Sequence, residues 1–260
     1  MELVITDNAT EAGVLAGRIM ADHVRRGARA IGLATGSSPL GAYQELIRQH
    51  REEGLSFAGV QAFLLDEYIG LPAGHPQSYA QFIRDEFTAQ VDFADADVHS
   101  PDGRGDDIPA AAADYERMIA LSGPVSVQIL GIGANGHLGF NEPGSSLRSR
   151  TRVKTLTPKT REDNARFFDG DLSQVPTHVL TQGLGTISDA DHLVMIATGE
   201  GKADAVAAAV EGPVSAFCPA SILQMHPHVT VIVDPAAAVN LKAVDYYRFA
   251  VENKPSWQRF

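Results

Sequence analysis

Short apolar runs alternate with longer amphipathic segments along this chain, and that alternation limits its fold more than any other feature. Runs at residues 30–34, 60–65, 125–130, 193–197 and 229–233 predict strands. In the segments between these runs, apolar residues recur at the spacing of a helix. Strands separated by helices predict an α/β fold: an open, mostly parallel twisted sheet flanked by helices on both faces, in a Rossmann-like three-layer arrangement.

The amphipathic segments predict helices over residues 10–26, 39–52, 78–87, 109–121 and 202–210. Thr10 is the expected N-cap of the first helix, and Pro39 stands at a favoured first-turn position of the second. The chain of 260 residues shows no internal repeat and no convincing linker, so we expect a single domain over residues 1–260.

Composition excludes several classes of function. The 21 basic and 32 acidic residues give a formal net charge of −11, which opposes binding along a nucleic-acid backbone. No apolar run approaches the roughly 18 residues of a membrane span, and the N-terminus does not resemble a secretory signal. We therefore expect a cytoplasmic protein with no membrane or nucleic-acid partner. The single cysteine, Cys218, excludes an internal disulfide framework and a cysteine-based zinc site.

Ligands in such sheets bind at the carboxyl ends of the strands, so the residues after each predicted strand are the candidate site residues. Thr35, Gly36, Ser37 and Ser38 follow one strand and precede a helix. Backbone N–H groups, three hydroxyls and a helix N-terminus there would hold a phosphate group. The alternative is an ordinary helix start with Ser37 or Ser38 as N-cap.

Two acidic residues, Asp66 and Glu67, stand where the next strand ends. A carboxylate in a partly desolvated cleft can carry a raised pKa and move protons. An exposed loop carboxylate or a helix cap is the alternative, and the residues alone do not decide between the two.

The segment 131–136 matches the G-x-G-x-x-G pattern after a strand. A dinucleotide site would also need a helix directly afterwards and an acidic residue about 20 positions on. Two more glycines and a proline follow instead, which favours a catalytic loop in which Glu142 and Asn135 orient His137. An exposed histidine in a glycine-rich turn is the alternative. The other histidines lack ligand spacing, so no metal site is expected.

Few basic residues could bind an anion. Arg150, Arg152 and Lys154 alternate as on one face of a strand, which predicts an anion site or else a solvated or subunit-contact face. Arg166 is flanked by apolar residues, so we expect a buried partner for its guanidinium. Lys202 stands at a helix start, where the helix dipole does not favour a cation, so a ligand or an acidic partner is expected.

Four segments closely resemble glucosamine-6-phosphate deaminases, and the likeness extends nearly end to end. They are residues 34–39 (ATGSSP), 65–68 (LDEY), 133–143 (GANGHLGFNEP) and 149–157 (SRTRVKTLT). The FNEP sequence at residues 140–143 is the specific feature. Sugar-phosphate lactonases, which share the fold, usually have Asp-Glu-Arg in place of Asp66-Glu67-Tyr68 and lack FNEP.

The resemblance implies conversion of glucosamine 6-phosphate to fructose 6-phosphate and ammonia, with no metal or organic cofactor. It makes Asp66 the base that moves a proton between C2 and C1 of the opened sugar. It assigns the opening of the pyranose ring to His137, oriented by Glu142 and Asn135. The matching phosphate-binding positions are Thr35, Gly36, Ser37, Ser38, Arg166 and Lys202.

Allosteric members of the family bind N-acetylglucosamine 6-phosphate between subunits. Ser145, Ser146, Arg152 and Lys154 match the phosphate contacts of that pocket, whereas its C-terminal tyrosine aligns with Arg248. Activation by this ligand is therefore a hypothesis here. The resemblance also implies a homo-oligomer, with a hexamer favoured over a monomer.

Two other functions fit parts of the sequence. A lactonase acting on a phosphorylated sugar acid would share the fold, but Tyr68 and residues 141–143 disfavour it. A non-catalytic sugar-phosphate sensor is the second alternative. The combination of Asp66, His137 and Glu142 disfavours it, and a net charge of −11 opposes the DNA binding of such sensors.

Overall fold

The computed structural model describes the whole chain except Arg259 and the side chain of Asp163. Its strands are β1 (Glu2–Ile5), β2 (Ala30–Leu33), β3 (Gln61–Leu64), β4 (Asp66–Tyr68), β5 (Val98–His99), β6 (Val127–Leu130), β7 (Arg152–Thr155), β8 (His178–Thr181), β9 (Leu193–Ala197) and β10 (Val229–Val233). Its α-helices are α1 (Ala9–Arg25), α2 (Leu40–Glu53), α3 (Tyr79–Glu86), α4 (Ile108–Ser122), α5 (Pro158–Ala165), α6 (Leu184–Ser188), α7 (Ala203–Val210) and α8 (Val244–Glu252).

A seven-stranded sheet forms the centre of the molecule, in the order β1-β10-β9-β6-β2-β3-β5. Every neighbouring pair in it is parallel. Each residue of β2, β6, β9 and β10 is buried, because helices cover both faces of the sheet. The predicted α/β fold is confirmed.

Helix ends differ from the sequence prediction in one place that has a clear cause. The cap of α1 is Asn8 and not Thr10, because the Asn8 side-chain oxygen accepts the N–H of Glu11 at 2.9 Å. An amide oxygen at this position is as good an acceptor as a hydroxyl. The helix therefore begins at Ala9.

A second, three-stranded antiparallel sheet, in the order β4-β8-β7, was not predicted. The run at 60–65 is not followed by a loop: after Leu65 the chain starts β4, which leaves the main sheet and pairs with β8. The small sheet packs around its own apolar cluster, which includes Tyr68, Phe140 and Phe168. It closes one side of the candidate site.

The strand order reverses between β2 and β6. From β2 the chain adds β3 and β5 on one side, and from β6 it adds β9 and β10 on the other. At such a switch point the loops after the two strands separate and leave a crevice. Here they are the loops that begin at Ala34 and at Gly131. No helix in the described part of the chain has the length and apolar character needed to cross a membrane.

Candidate active site

An open cleft of about 310 Å³ lies at this switch point. Five of the predicted site residues line it, together with Tyr79, Gly139, Phe140, Thr160 and Asn164. The five are Thr35, Asp66, His137, Arg166 and Lys202. An adjoining cavity shares Thr35, Asn164 and Arg166 with the cleft and adds Gly36. The structure thus brings together residues from the loops after β2, β6 and β9, from the start of β4 and from the end of α5.

The loop after β2 is open enough to receive a ligand. Gly36 has φ +92°, and a Cβ built on it would touch nothing within 4 Å. Pro39 precedes α2, and no side chain caps that helix, so the alternative of Ser37 or Ser38 as N-cap is wrong. Ser38 instead faces the neighbouring loop, 3.6 Å from the Cβ position of Gly131. The loop at residues 35–38 therefore remains open to an anion at the start of α2.

Two cations meet at one end of the cleft. Lys202 donates from Nζ to the carbonyl of Ile132 at 2.7 Å, so of the two partners expected for it the acidic one is wrong, and a ligand stays a prediction. Burial lowers the pKa of Lys202, and the charge of Arg166 lowers it further. Arg166 is exposed, with its guanidinium 4.6 Å from the ring centroid of Phe167, so its expected buried partner is also wrong. Two cations that repel each other across a cleft favour the binding of a dianion between them.

Asp66 lies on one wall of the cleft. Its side chain is 4% exposed. Burial, with the nearby charge of Glu67, raises its pKa from 3.8 to about 8. Gly139, at φ +55°, leaves space beside the carboxylate, since a Cβ there would lie 3.4 Å from Oδ2. A carboxyl group with a pKa near neutrality, next to open space, is suited to accept and return a proton.

Glu67, the second acidic residue, has a structural role. Its Oε1 accepts the backbone N–H groups of Tyr68 at 2.8 Å and Tyr79 at 3.0 Å. Its Oε2 accepts the N–H of Ala80 at 2.9 Å. These bonds hold the N-terminus of α3 against β4 and place the Tyr79 side chain in the cleft. Of the acidic pair, one carboxyl faces the cleft and the other anchors a helix.

The glycine-rich loop folds back on itself and does not continue into a helix. The N–H of Gly133 donates to the carbonyl of His137 at 3.0 Å. The imidazole of His137 lies flat against Gly133, because a Cβ on that glycine would be 2.2 Å from the ring Cε1. Gly136 has φ +82°, which closes the turn. This path excludes the dinucleotide arrangement.

Behind His137 stands the carboxylate of Glu142. His137 Nδ1 is 3.7 Å from Glu142 Oε2, and Asn135 donates to the same oxygen at 2.7 Å. His137 has the largest effect in lowering the pKa of Glu142 to about 2, and hydrogen bonds from Asn135 and Thr160 add to it. Glu142 is therefore charged at neutral pH. A fixed carboxylate orients the imidazole and stabilises positive charge on it during proton transfer.

The basic segment divides into two parts. Arg150 precedes β7 and bonds to Glu116 at 2.5 Å and Asp189 at 2.5 Å, so it does not share an anion-binding face with Arg152 and Lys154. Arg152 is half-buried and donates to Asn141 Oδ1 at 2.9 Å. Burial lowers the pKa of its guanidinium. Lys154 is half-buried on the same side of β7.

Comparisons with known proteins agree with this geometry. A family profile described as glucosamine-6-phosphate isomerases/6-phosphogluconolactonase matches residues 8–232. The chain belongs to this family. A protein of Rhodococcus opacus (strain B4) described as glucosamine-6-phosphate deaminase is 60% identical over 260 residues, the full length of both chains. One from Arthrobacter sp. (strain FB24), with the same description, is 58% identical over 259 residues, 99% of each chain.

Solved structures of the family point the same way. A monomeric glucosamine-6-phosphate deaminase superposes with a TM-score of 0.89 at 40% identity, covering 92% of this chain and 100% of the other. The 6-phosphogluconolactonase of Trypanosoma brucei superposes with a TM-score of 0.73 at 19% identity, covering 92% and 98%. The second likeness shows the common fold alone.

Three polar side chains of the cleft were not predicted from the sequence. Tyr79, Thr160 and Asn164 all line it. Thr160 and Asn164 lie four positions apart in the polar helix α5 and therefore share a face, which is the only local signal for them. Tyr79 directly follows Ser78, which caps α3 as the predicted helix start at residue 78 implied.

Proposed function

We propose that the protein converts glucosamine 6-phosphate and water to fructose 6-phosphate and ammonia. The observation that carries the proposal is the separation of three groups in one cleft. A buried carboxyl of raised pKa, Asp66, lines one wall. The glycine-rich loop supplies a histidine backed by a carboxylate, His137 with Glu142. Arg166 and Lys202 supply two cations for the phosphate group.

Each step of this reaction has a group to perform it. His137, held by Glu142, moves the proton that opens the pyranose ring to the aldehyde. Asp66 takes the proton from C2 and returns it to C1, and the C1 oxygen gains the proton that the amino group loses. The amino aldehyde is thereby converted through an enolamine to a 2-imine. Water then adds to C2 and ammonia leaves, giving the ketone. The cations hold the phosphate, and that remote binding fixes the position of C1 and C2 at Asp66.

The direct test is product formation by the purified protein with no added metal. We expect equal amounts of ammonia and fructose 6-phosphate from glucosamine 6-phosphate. A folded protein that gives neither, with and without N-acetylglucosamine 6-phosphate, would refute the proposal. Hydrolysis of 6-phosphogluconolactone is the control, because lactonases share the fold.

We further propose that the protein acts in amino-sugar breakdown in the cytoplasm, without a metal or organic cofactor. Among the described residues, no group of three or more His, Cys, Asp or Glu side chains could hold a metal ion. Activity that survives dialysis against a chelator would support the metal-free mechanism, and loss that zinc or magnesium restores would contradict it.

A regulatory pocket and a homo-oligomer, with a hexamer favoured over a monomer, are also proposed. Ser145 is buried and its hydroxyl has no hydrogen-bond partner among the described residues, while Arg152 and Lys154 lie on one side of β7. Ser146 is exposed, as is Arg248 on α8. N-acetylglucosamine 6-phosphate should raise the activity at low substrate concentration and the thermal midpoint. No change in either would contradict the pocket, and a sedimenting mass of one chain would contradict the oligomer.

A further inference from the structure

The carboxylate of Glu142 is fixed from two sides. Its Oε2 faces His137 and accepts the amide of Asn135, both from the glycine-rich loop. Its Oε1 accepts the hydroxyl of Thr160 at 2.9 Å, and Thr160 belongs to α5, outside that loop. Because Asn135 bonds one carboxylate oxygen and Thr160 bonds the other, the carboxylate cannot rotate without breaking a hydrogen bond to a charged acceptor. Thr160 has no other assigned role in the reaction.

Donor counting fixes the direction of the bonds around Thr160. A hydroxyl has one proton, and that of Thr160 is donated to Glu142. Thr157 Oγ1, 2.8 Å from Thr160 Oγ1, must therefore be the donor in that contact. The same Thr157 oxygen accepts the N–H of Thr160 at 3.1 Å as the N-cap of α5. The capping hydroxyl, the Thr160 hydroxyl and the carboxylate thus form one chain in which each bond polarises the next.

The same helix is attached at its other end and continues into the phosphate site. Asn164, one turn after Thr160, donates to the hydroxyl of Tyr68 at 2.9 Å. Arg166 follows as the C-terminal cap. An eight-residue helix has little stability alone in water, so these side-chain bonds and the contact of Ala165 with the small apolar cluster determine its position.

We propose that Thr160 is a positioning residue for the ring-opening step: its hydroxyl holds the Glu142 carboxylate in the orientation that His137 requires, and it makes that orientation depend on the docking of the helix that carries Arg166. The inference rests on the proposed deamination of glucosamine 6-phosphate. It adds to that reaction a physical connection between the phosphate end of the cleft and the ring-opening end.

The test is a set of threonine variants assayed by ammonia release. Thr160→Val keeps the shape and removes the hydroxyl, and we expect kcat to fall about 10- to 100-fold, as for the loss of one hydrogen bond to a charged group, with KM changed less than about threefold. Thr160→Ser keeps the hydroxyl and should retain kcat within about threefold. Thr177→Val, the same change at an exposed position, is the matched control and should behave as wild type.

A double-mutant cycle tests whether Thr160 acts through Glu142. Thr160→Val should have less than about a threefold effect in a Glu142→Gln background, because the charged acceptor is gone. Equal losses of kcat in both backgrounds would overturn the inference, as would wild-type kcat in Thr160→Val or a Thr160→Ser variant as slow as Thr160→Val. Wild-type protein that releases no ammonia would instead refute the proposed function, so the two failures are distinguishable.

Discussion

Replacing Asp66 with asparagine should stabilise the folded protein at neutral pH while it removes the proposed base. The carboxyl is 4% exposed and its pKa is raised to about 8 by burial and by Glu67. The folded protein therefore binds the proton of this carboxyl more tightly than the unfolded chain does. Its contribution to stability is therefore most favourable below the ordinary pKa of 3.8. That contribution is lost as the pH rises from 3.8 to about 8, and above that it is constant.

The structure gives the size of the effect. One pKa unit corresponds to about 1.4 kcal/mol, so the interval from 3.8 to pH 7 is worth ~4 kcal/mol as an upper limit. Asparagine has nearly the same shape and no charge to desolvate. The free energy of unfolding of the variant, relative to that of wild type, should therefore rise by about 1.4 kcal/mol per pH unit within this window. The two proteins share every other titrating group.

The assay is urea unfolding of wild type and Asp66→Asn at pH 5, 7 and 8.5. The difference in free energy of unfolding should grow with pH and level off above about pH 8. Asp106→Asn, at an exposed position, is the matched control and should show no such growth. A difference for Asp66→Asn that stays constant across this range would refute the account of a carboxyl held neutral by burial.

Two further predictions follow from the packing of histidines. Gly133→Ala should lower kcat at least about tenfold and leave the fold intact, because its Cβ would lie 2.2 Å from the His137 ring and displace it; wild-type kcat would contradict the assigned position. His192 is fully buried, and burial with the charges of His228 and His23 lowers its pKa to about 3. Its stabilisation is therefore complete above pH 6.5 and is lost as the pH falls from 6.5 towards 3, by about 1.4 kcal/mol per unit. Between pH 6.5 and 4.5 the free energy of unfolding should fall less steeply in His192→Gln than in wild type. An equal slope in the two proteins would contradict the lowered pKa of His192.

The main sheet and the place of the site were predictable because both follow from local patterns. Apolar runs mark the parallel strands, and the loops after β2 and β6 line the crevice where the strand order reverses. Asp66, His137 and Lys202 could be singled out on that ground alone. Their roles in the reaction came from the resemblance, because spacing does not distinguish a proton carrier from a helix anchor such as Glu67.

The second sheet, the partners of Arg150 and the role of Thr160 could not be predicted, because they depend on contacts between residues far apart in the sequence. The strand β4 is three residues long, carries two acidic residues and is separated from β3 by one residue. No apolar periodicity therefore predicts that it pairs with β8. Arg150 and Arg152 are two positions apart, as on one face of a strand. Arg150 nevertheless bonds to Glu116 and Asp189, which are 34 and 39 positions away in the sequence. Thr160 is an unremarkable polar position of α5 until the fold places Glu142 beside it.

Asp66 is proposed to carry the proton between C2 and C1, and following that proton tests its role most directly. Glucosamine 6-phosphate turned over in deuterium oxide should give fructose 6-phosphate in which C1 receives its new hydrogen, deuterium or the proton from C2, at one prochiral position. Asp66→Asn, still folded and still binding substrate, should slow this transfer by about 100- to 10,000-fold, the usual contribution of a positioned base. Transfer at the wild-type rate in Asp66→Asn, or deuterium at both C1 positions with wild type, would contradict the account.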